Sequence, residues 1–134
     1  MEQWTHNGNP FTVAPVDAFG FIYLITNTGT GQKYIGKKLF TKAAYKQVKG
    51  KRKKLRADSD WINYWGSGPR LQDDIVKFGK KQFTREILRL CKSRGECNYW
   101  ESYEIFSRHA LRSEEYYNDW ISCKISRKHL IIED

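Results

Sequence analysis

A run rich in β-branched and aromatic residues, Phe19 to Thr26, is followed by the polar turn Asn27-Thr28-Gly29-Thr30-Gly31 and by a second strand, Gln32 to Lys38. Strand-forming runs joined by a short glycine-containing turn specify a hairpin. No other feature constrains the fold as strongly, because a hairpin fixes two neighbouring strands of a sheet. Each strand carries a tyrosine tripeptide: Phe21-Ile22-Tyr23 on the first and Tyr34-Ile35-Gly36 on the second.

Charge follows the hairpin immediately. Eleven cations lie between Lys33 and Arg56: Lys33, Lys37, Lys38, Lys42, Lys46, Lys49, Lys51, Arg52, Lys53, Lys54 and Arg56. No acidic residue falls between Asp17 and Asp58. The whole chain carries 24 basic and 15 acidic residues, a net +9, so the excess is local to this run. Such runs are often solvated loops, but cations without counter-ions repel one another, and a polyanion relieves that repulsion. The expected role is therefore to grip nucleic-acid phosphate. Charge alone does not separate DNA from RNA. An acidic membrane face is the weaker partner, since no apolar run approaches the roughly 20 residues that span a bilayer, and no membrane association is expected.

The rest of the chain reads as one domain of the α/β (α+β) class, a small three-stranded mixed sheet flanked by helices. Residues 1–18, with turn signals at Asn7-Gly8-Asn9-Pro10 and Pro15, read as an N-terminal arm lacking a secretory signal. The domain proper then runs over 19–134, with a basic insertion at about 39–60. Within that insertion, Leu39 to Val48 is expected to be helical, with Leu39, Ala43 and Ala44 on one side, and Gly50 to Asp60 to be a charged loop. A helix should open at Pro69, bury Leu71, Ile75 and Phe78, and end at Gly79. Phe83 to Leu90 reads as a third strand. Glu96 to Leu111 reads as a helix with Tyr99, Tyr103, Phe106 and Ala110 on its buried stripe. Cys91, Cys97 and Cys123, an odd and sparse set, suit a reducing cytosol and free buried thiols; with His109 they match no common zinc spacing.

The two tripeptides resemble those of the GIY-YIG nuclease family, with Phe21 where the first glycine usually stands. Trp61…Tyr64-Trp65-Gly66-Ser67-Gly68…Leu71…Ile75…Phe78-Gly79…Phe83…Ile87-Leu88 is similar to its central helix and third strand. Trp100-Glu101…Ile105 is similar to the helix carrying its acidic metal ligand, and Tyr117-Asn118 to its closing polar site. The resemblance covers roughly residues 19–120. It implies a metal-dependent DNA endonuclease of the small bacteriophage-encoded, homing type, acting in the cytoplasm of a bacterial host.

In that picture, Tyr23 and Tyr34 stand side by side and orient or deprotonate water, with Tyr23 as the base and Tyr34 contacting phosphate or orienting. Glu101 holds Mg²⁺ or Mn²⁺, Asn118 hydrogen-bonds within the site, and the Lys33–Arg56 run binds the backbone. A single carboxylate suits Mg²⁺, which keeps waters and takes ligands from substrate. Deprotonation needs a tyrosine pKa well below about 10, and Lys33, Lys37 and Lys38 beside Tyr34 would favour phenolate. Several alternatives stand. The tyrosines pack in any ordinary sheet, Glu101 lies on a solvated helix face, Glu104 is the metal ligand instead, or Asn118 is a turn residue.

The family usually places an arginine, often with a histidine, on the helix after the second tripeptide. Here Leu39 to Gln47 offers neither, so the phosphate-stabilising cation falls to Lys38, Lys42, Lys46, Arg52 or Arg56. That departure keeps open a weak or inactive nucleic-acid-binding module of the same fold, or a subunit that takes its specificity from a partner protein or homodimer. The stretch after the core, Asp119 to Asp134, is too short for an appended DNA-reading domain. One site in a monomer would nick.

Overall fold

The hairpin forms where the sequence puts it. In the computed structural model, which describes residues 3–130, β3 (Gly20–Asn27) pairs antiparallel with β4 (Lys33–Leu39) so that Tyr23 lies opposite Gly36 and Ile25 opposite Tyr34. The buried Asn27 makes the turn: its side-chain oxygen accepts from the backbone amides of Gly29 (3.0 Å) and Thr30 (3.2 Å). Gly31, at φ +83, supplies the left-handed residue that lets the chain return.

The sheet has five strands rather than three. Its order is β2 (Asn9–Pro10), β1 (Trp4–His6), β7 (Phe83–Cys91), β3, β4. The expected arm is thus in part a strand, running parallel to β7. Trp4 explains its capture: the ring is 1% exposed, and its indole N–H donates to the Trp61 carbonyl at 2.8 Å. The outer ends of the arm and of the expected domain, residues 1–2 and 131–134, lie outside the described residues.

Alternation along β3 sets the layers. Phe21, Tyr23 and Ile25 face one cluster with Trp61, Trp65 and two residues of α1 (Pro69–Phe78), Leu71 and Ile75. Ile22 and Leu24 face the other, with Cys97 and Ile105 of α2 (Arg94–Ser107). The two helices therefore cover opposite faces. Helix α1 has Pro69 at its first turn and ends at Gly79, φ +87, as the sequence predicts. Phe78, expected inside, is 39% exposed, because burial stops at Ile75.

A bulge in β7 opposite Ile22 and Tyr23 changes the strand's phase. Before it, Phe83 and Ile87 face the α1 side. After it, Cys91 faces α2, and the Arg89 guanidinium lies 3.9 Å over the Trp100 ring of that helix.

Several further expectations need correction. The segment expected as helix (Leu39 to Val48) and the one expected as loop (Gly50 to Asp60) instead form a ribbon, β5 (Thr41–Val48) against β6 (Lys51–Asp58). The two residues between them, Lys49 (φ 51) and Gly50 (φ 76), are both left-handed, as a two-residue hairpin turn requires. Helix α2 starts at Arg94, earlier than expected, because the Ser93 hydroxyl caps it by accepting from the Glu96 amide at 3.1 Å. It ends at Ser107, before His109 turns left-handed (φ 55). Its buried face holds Cys97, Ser102, Glu104 and Ile105, whereas Tyr99, Tyr103 and Phe106 point outward. Ala110 is buried, but beyond the helix. Cys91 and Cys97 are buried free thiols, while Cys123 is exposed.

Candidate active site

Strand β4 lies at the sheet edge, and the backbone groups of alternate residues point outward from it. At Lys33 those groups are taken by the following chain: its amide donates to the Glu115 carbonyl (2.8 Å), and its carbonyl accepts from the Tyr117 amide (2.7 Å). At Ile35 the Asn118 side chain replaces a backbone. Its oxygen accepts from the Ile35 amide at 3.0 Å, and its nitrogen donates to the Ile35 carbonyl at 2.8 Å. The next outward position, Lys37, is not covered by this segment. There a cleft opens, walled by Tyr23, Tyr34, Gly36, Glu101 and Asp119.

Glycines shape this cleft. A Cβ at Gly36 would land on the Tyr23 hydroxyl. A Cβ at Gly68 would come within 2.6 Å of the Tyr34 ring. Tyr23 therefore crosses the strand over Gly36, and Tyr34 lies along the entry to α1, where its hydroxyl meets the Ser67 hydroxyl at 3.2 Å. The two tyrosine rings sit 6.2 Å apart, and Tyr64 meets Tyr23 edge-on at 5.9 Å. Arg85 holds the segment leading here. It is 5% exposed, lies 4.6 Å from the Trp4 ring and 4.1 Å from the Trp65 ring, and donates to the carbonyls of Ile62 (3.0 Å) and Tyr64 (2.7 Å).

Glu101 reaches the cleft from α2, on the opposite face of the sheet. Its carboxylate lies 3.7 Å from the Lys37 ammonium, whose other partner is the Asn98 side-chain oxygen. Burial raises its pKa above the usual carboxyl value, and Lys37, through both its ammonium and its backbone amide, pulls the other way. Glu104, the rival ligand, does not line the cleft: it takes Arg89 at 3.4 Å and Arg108 at 3.1 Å. Among the described residues no three acidic, histidine or cysteine side chains cluster as a cage. A largely buried carboxylate beside an open edge, with Asp119 on the rim taken by Arg70, fits a Mg²⁺ or Mn²⁺ ion that draws its remaining ligands from water and substrate.

The phenols differ from the sequence expectation. Burial pushes the pKa of Tyr23 well above 10, and Tyr64 and Tyr34 add to the effect. Burial also raises Tyr34, partly offset by its bond to Ser67. The lysines that would have favoured phenolate are engaged elsewhere. Lys33 donates to the Gly31 carbonyl at 3.2 Å, and Lys37 belongs to Glu101 and Asn98. Lys38 pairs with Asp60 at 2.7 Å and lies 4.2 Å over the Tyr64 ring. Both hydroxyls are thus protonated at neutral pH.

The remaining basic residues of the Lys33–Arg56 run lie on the ribbon: Lys42 and Lys46 on β5, Lys49 in its turn, and Lys51, Arg52, Lys53, Lys54 and Arg56 on β6. Ser67 and Arg70, near the cleft, were not among the expected site residues. Ser67 bonds Tyr34. Arg70, in the first turn of α1, bonds Asp119 at 2.8 Å on the cleft rim and reaches the Tyr116 carbonyl at 3.3 Å. Its signal was available, as an arginine directly after Gly66-Ser67-Gly68-Pro69.

Residues 4–121 match the family model described as "Putative endonuclease segE, GIY-YIG domain". The chain is also similar to the "Putative endonuclease segE" of Enterobacteria phage T4, at 32% identity over 102 residues. That alignment covers 75% of this chain and 40% of the phage protein, so the chain spans well under half of its relative's length. No solved structure matches the chain. The family-model match runs through both tyrosine strands and both helices, and the chain belongs to the segE-type GIY-YIG family.

Proposed function

We propose that this chain is a divalent-metal-dependent DNA endonuclease that hydrolyses phosphodiester bonds at the open edge of β4. The observation that carries this is the convergence of Tyr23, Tyr34 and Glu101 on one cleft, although Glu101 comes from the opposite face of the sheet. Glu101 would hold Mg²⁺ or Mn²⁺, which when bound supplies charge neutralisation at the phosphate.

The chain's own residues do the positioning. With raised pKa values, the Tyr23 and Tyr34 hydroxyls act as donors that orient the attacking water and a phosphate oxygen. The Lys37 ammonium, 3.7 Å from Glu101, offsets phosphate charge beside the carboxylate. Asn118 holds the edge open at a fixed register through its two bonds to Ile35 and does not itself touch substrate. Lys38, tied to Asp60, orders the base of the ribbon. Arg70, on the first regular helix after the second tripeptide, fills the need for an arginine that Leu39 to Gln47 leaves unmet. The ribbon carries the nonspecific phosphate grip. A single such tyrosine–glutamate cleft among the described residues makes a nick the product of a single encounter.

The test is supercoiled plasmid incubated with the protein in Mg²⁺, in Mn²⁺ and in chelator, beside Glu101→Ala and Tyr23→Phe. Metal-dependent nicking that both substitutions abolish is expected. Tight, salt-sensitive binding without cleavage in either metal would refute the nuclease reading.

A further inference from the structure

The ribbon β5–β6 has two chemically different faces. In an antiparallel pair, residues directly opposite share a face, and faces alternate along each strand. The register sets Tyr45 opposite Lys54, Gln47 opposite Arg52, and Ala43 opposite Arg56, all on one face. Contacts across that face agree: the Arg52 guanidinium lies 3.8 Å over the Tyr45 ring, and Arg56 bonds both the hydroxyl and the carbonyl of Thr41. The other face sets Lys46 opposite Lys53 and Val48 opposite Lys51, with Lys42 nearer the base. It carries lysines and small or aliphatic residues, and no arginine or amide.

That division matches two tasks in nucleic-acid binding. Arginine and glutamine present paired hydrogen-bonding groups that fit the major-groove edges of guanine and adenine. Lysine presents a point charge on a flexible stem, suited to phosphate and blind to sequence. A two-stranded ribbon fits the major groove of B-form DNA, about 12 Å wide, whereas the A-form major groove of RNA is too narrow. Both strands of this ribbon are largely exposed and eight residues long, about 26 Å, so it stands clear of the core. Its base is fixed. Phe40 is buried beside Trp61, the Ser59 amide donates to the Phe40 carbonyl at 2.9 Å, and Arg56 packs 5.3 Å from the Phe19 ring. The base also adjoins the cleft, because Lys37 borders both.

We propose that the ribbon is the sequence-reading element. It lies in the DNA major groove with Tyr45, Gln47 and Arg52 toward the base edges, and with Lys42, Lys46, Lys51 and Lys53 reaching the phosphates along the groove walls. Arg56 anchors the ribbon rather than reading. This inference rests on the DNA-cleaving reading and adds where that activity gets its site preference. Gln47 is eleven residues beyond Gly36, at most about 40 Å along the chain. The bases read therefore lie within roughly one helical turn of the cut.

The test is selection of duplex DNA from a random library by the full chain in chelator, followed by titration of the enriched and a scrambled duplex. The wild-type chain is expected to enrich a short motif and to prefer it over duplex RNA of the same sequence. Arg52→Lys, which keeps the charge and loses the fork, should weaken binding to the enriched duplex at least about fivefold while sparing the scrambled one. Gln47→Ala should act the same way at a different base. Lys46→Ala combined with Lys53→Ala should weaken both duplexes alike and flatten the salt dependence by about two phosphate contacts. No enriched motif, an unchanged enriched-to-scrambled ratio in Arg52→Lys and Gln47→Ala, or equal affinity for duplex RNA would each overturn the proposal. These are binding measurements made without cleavage, so they stand or fall separately from the plasmid assay.

Discussion

Gly36→Ala is the sharpest single perturbation the structure offers. The added methyl would occupy the space of the Tyr23 hydroxyl and the ring carbon that bears it. The ring cannot retreat: Tyr23 is 1% exposed and is enclosed by Trp4 at 5.5 Å, Tyr64 at 5.9 Å, and Tyr34 and Phe21 at 6.2 Å. Strand β4 must shift instead, and as an edge strand it can. Overpacking that is relieved by backbone movement costs about 2 kcal/mol, a fall of roughly 6 °C in Tm for a chain of this size. Thermal and urea unfolding measure it. The partner substitution Tyr23→Leu empties the contested space at its own cost, about 2–4 kcal/mol for a buried aromatic. The double variant should then be more stable than the sum of the two losses implies, by about 1–2 kcal/mol. Nicking should be lost in all three variants. If Gly36→Ala were as stable as wild type, or the two losses simply added, Tyr23 would not cross β4 at Gly36, and the account of the cleft would fail.

Three further outcomes follow from the same geometry. Because burial raises the Glu101 pKa in the fold, the native chain holds that proton more tightly than the unfolded chain does. Stability is then lost as pH rises from the ordinary carboxyl value, about 4.3, through the raised one. Glu101→Gln should therefore be more stable than wild type at pH 7, with the gap closing below about pH 4 in urea titrations, while nicking disappears. Asn118→Ala removes two buried hydrogen bonds and leaves both backbone groups of Ile35 unpaired; it should cost about 2–4 kcal/mol and visibly speed hydrogen exchange at the Ile35 amide. Arg85→Ala orphans the Ile62 and Tyr64 carbonyls and unstacks two tryptophans; it should cost about 3 kcal/mol or more by denaturant unfolding, with Arg85→Lys recovering little because the planar fork is gone.

What the sequence revealed tracks where burial left a pattern. Strands β3, β4 and β7 and helix α1 are half or wholly buried, so their periodicity survives in the residue order, and punctuation at Gly31, Pro69 and Gly79 marks their ends. The ribbon has no such imprint. With both faces in solvent, nothing forces apolar residues into alternation, and its signal reduces to the Lys49-Gly50 turn. Helix α2 misled for a different reason. Its aromatics make a regular stripe that lies outside, with Arg89 stacked on Trp100, while the inner face spends positions on Glu101, Ser102 and Glu104. The order of Tyr23, Tyr34, Glu101 and Asn118 along the chain was legible, but their environment was not. Nothing in the residue order shows that Lys38 turns to Asp60, that the phenols are desolvated, or that Asn118 substitutes for a strand.

The stretch Glu115 to Asn118 that closes the first part of β4 has a bearing on solubility. An uncovered sheet edge is a template for another chain, and runs such as Phe21 to Ile25 would supply a sticky partner in any partly unfolded molecule. Here backbone and Asn118 cover Lys33 to Ile35, and the remaining opening is bordered by Lys37 and Lys38, the kind of residue that natural sheets place on edges to repel a second strand. The gap needed for chemistry is thus defended by charge rather than by cover. A polyanion that neutralises those lysines also lowers that defence, so in concentrated preparations heparin or excess short oligonucleotide should promote self-association, where added NaCl alone promotes less.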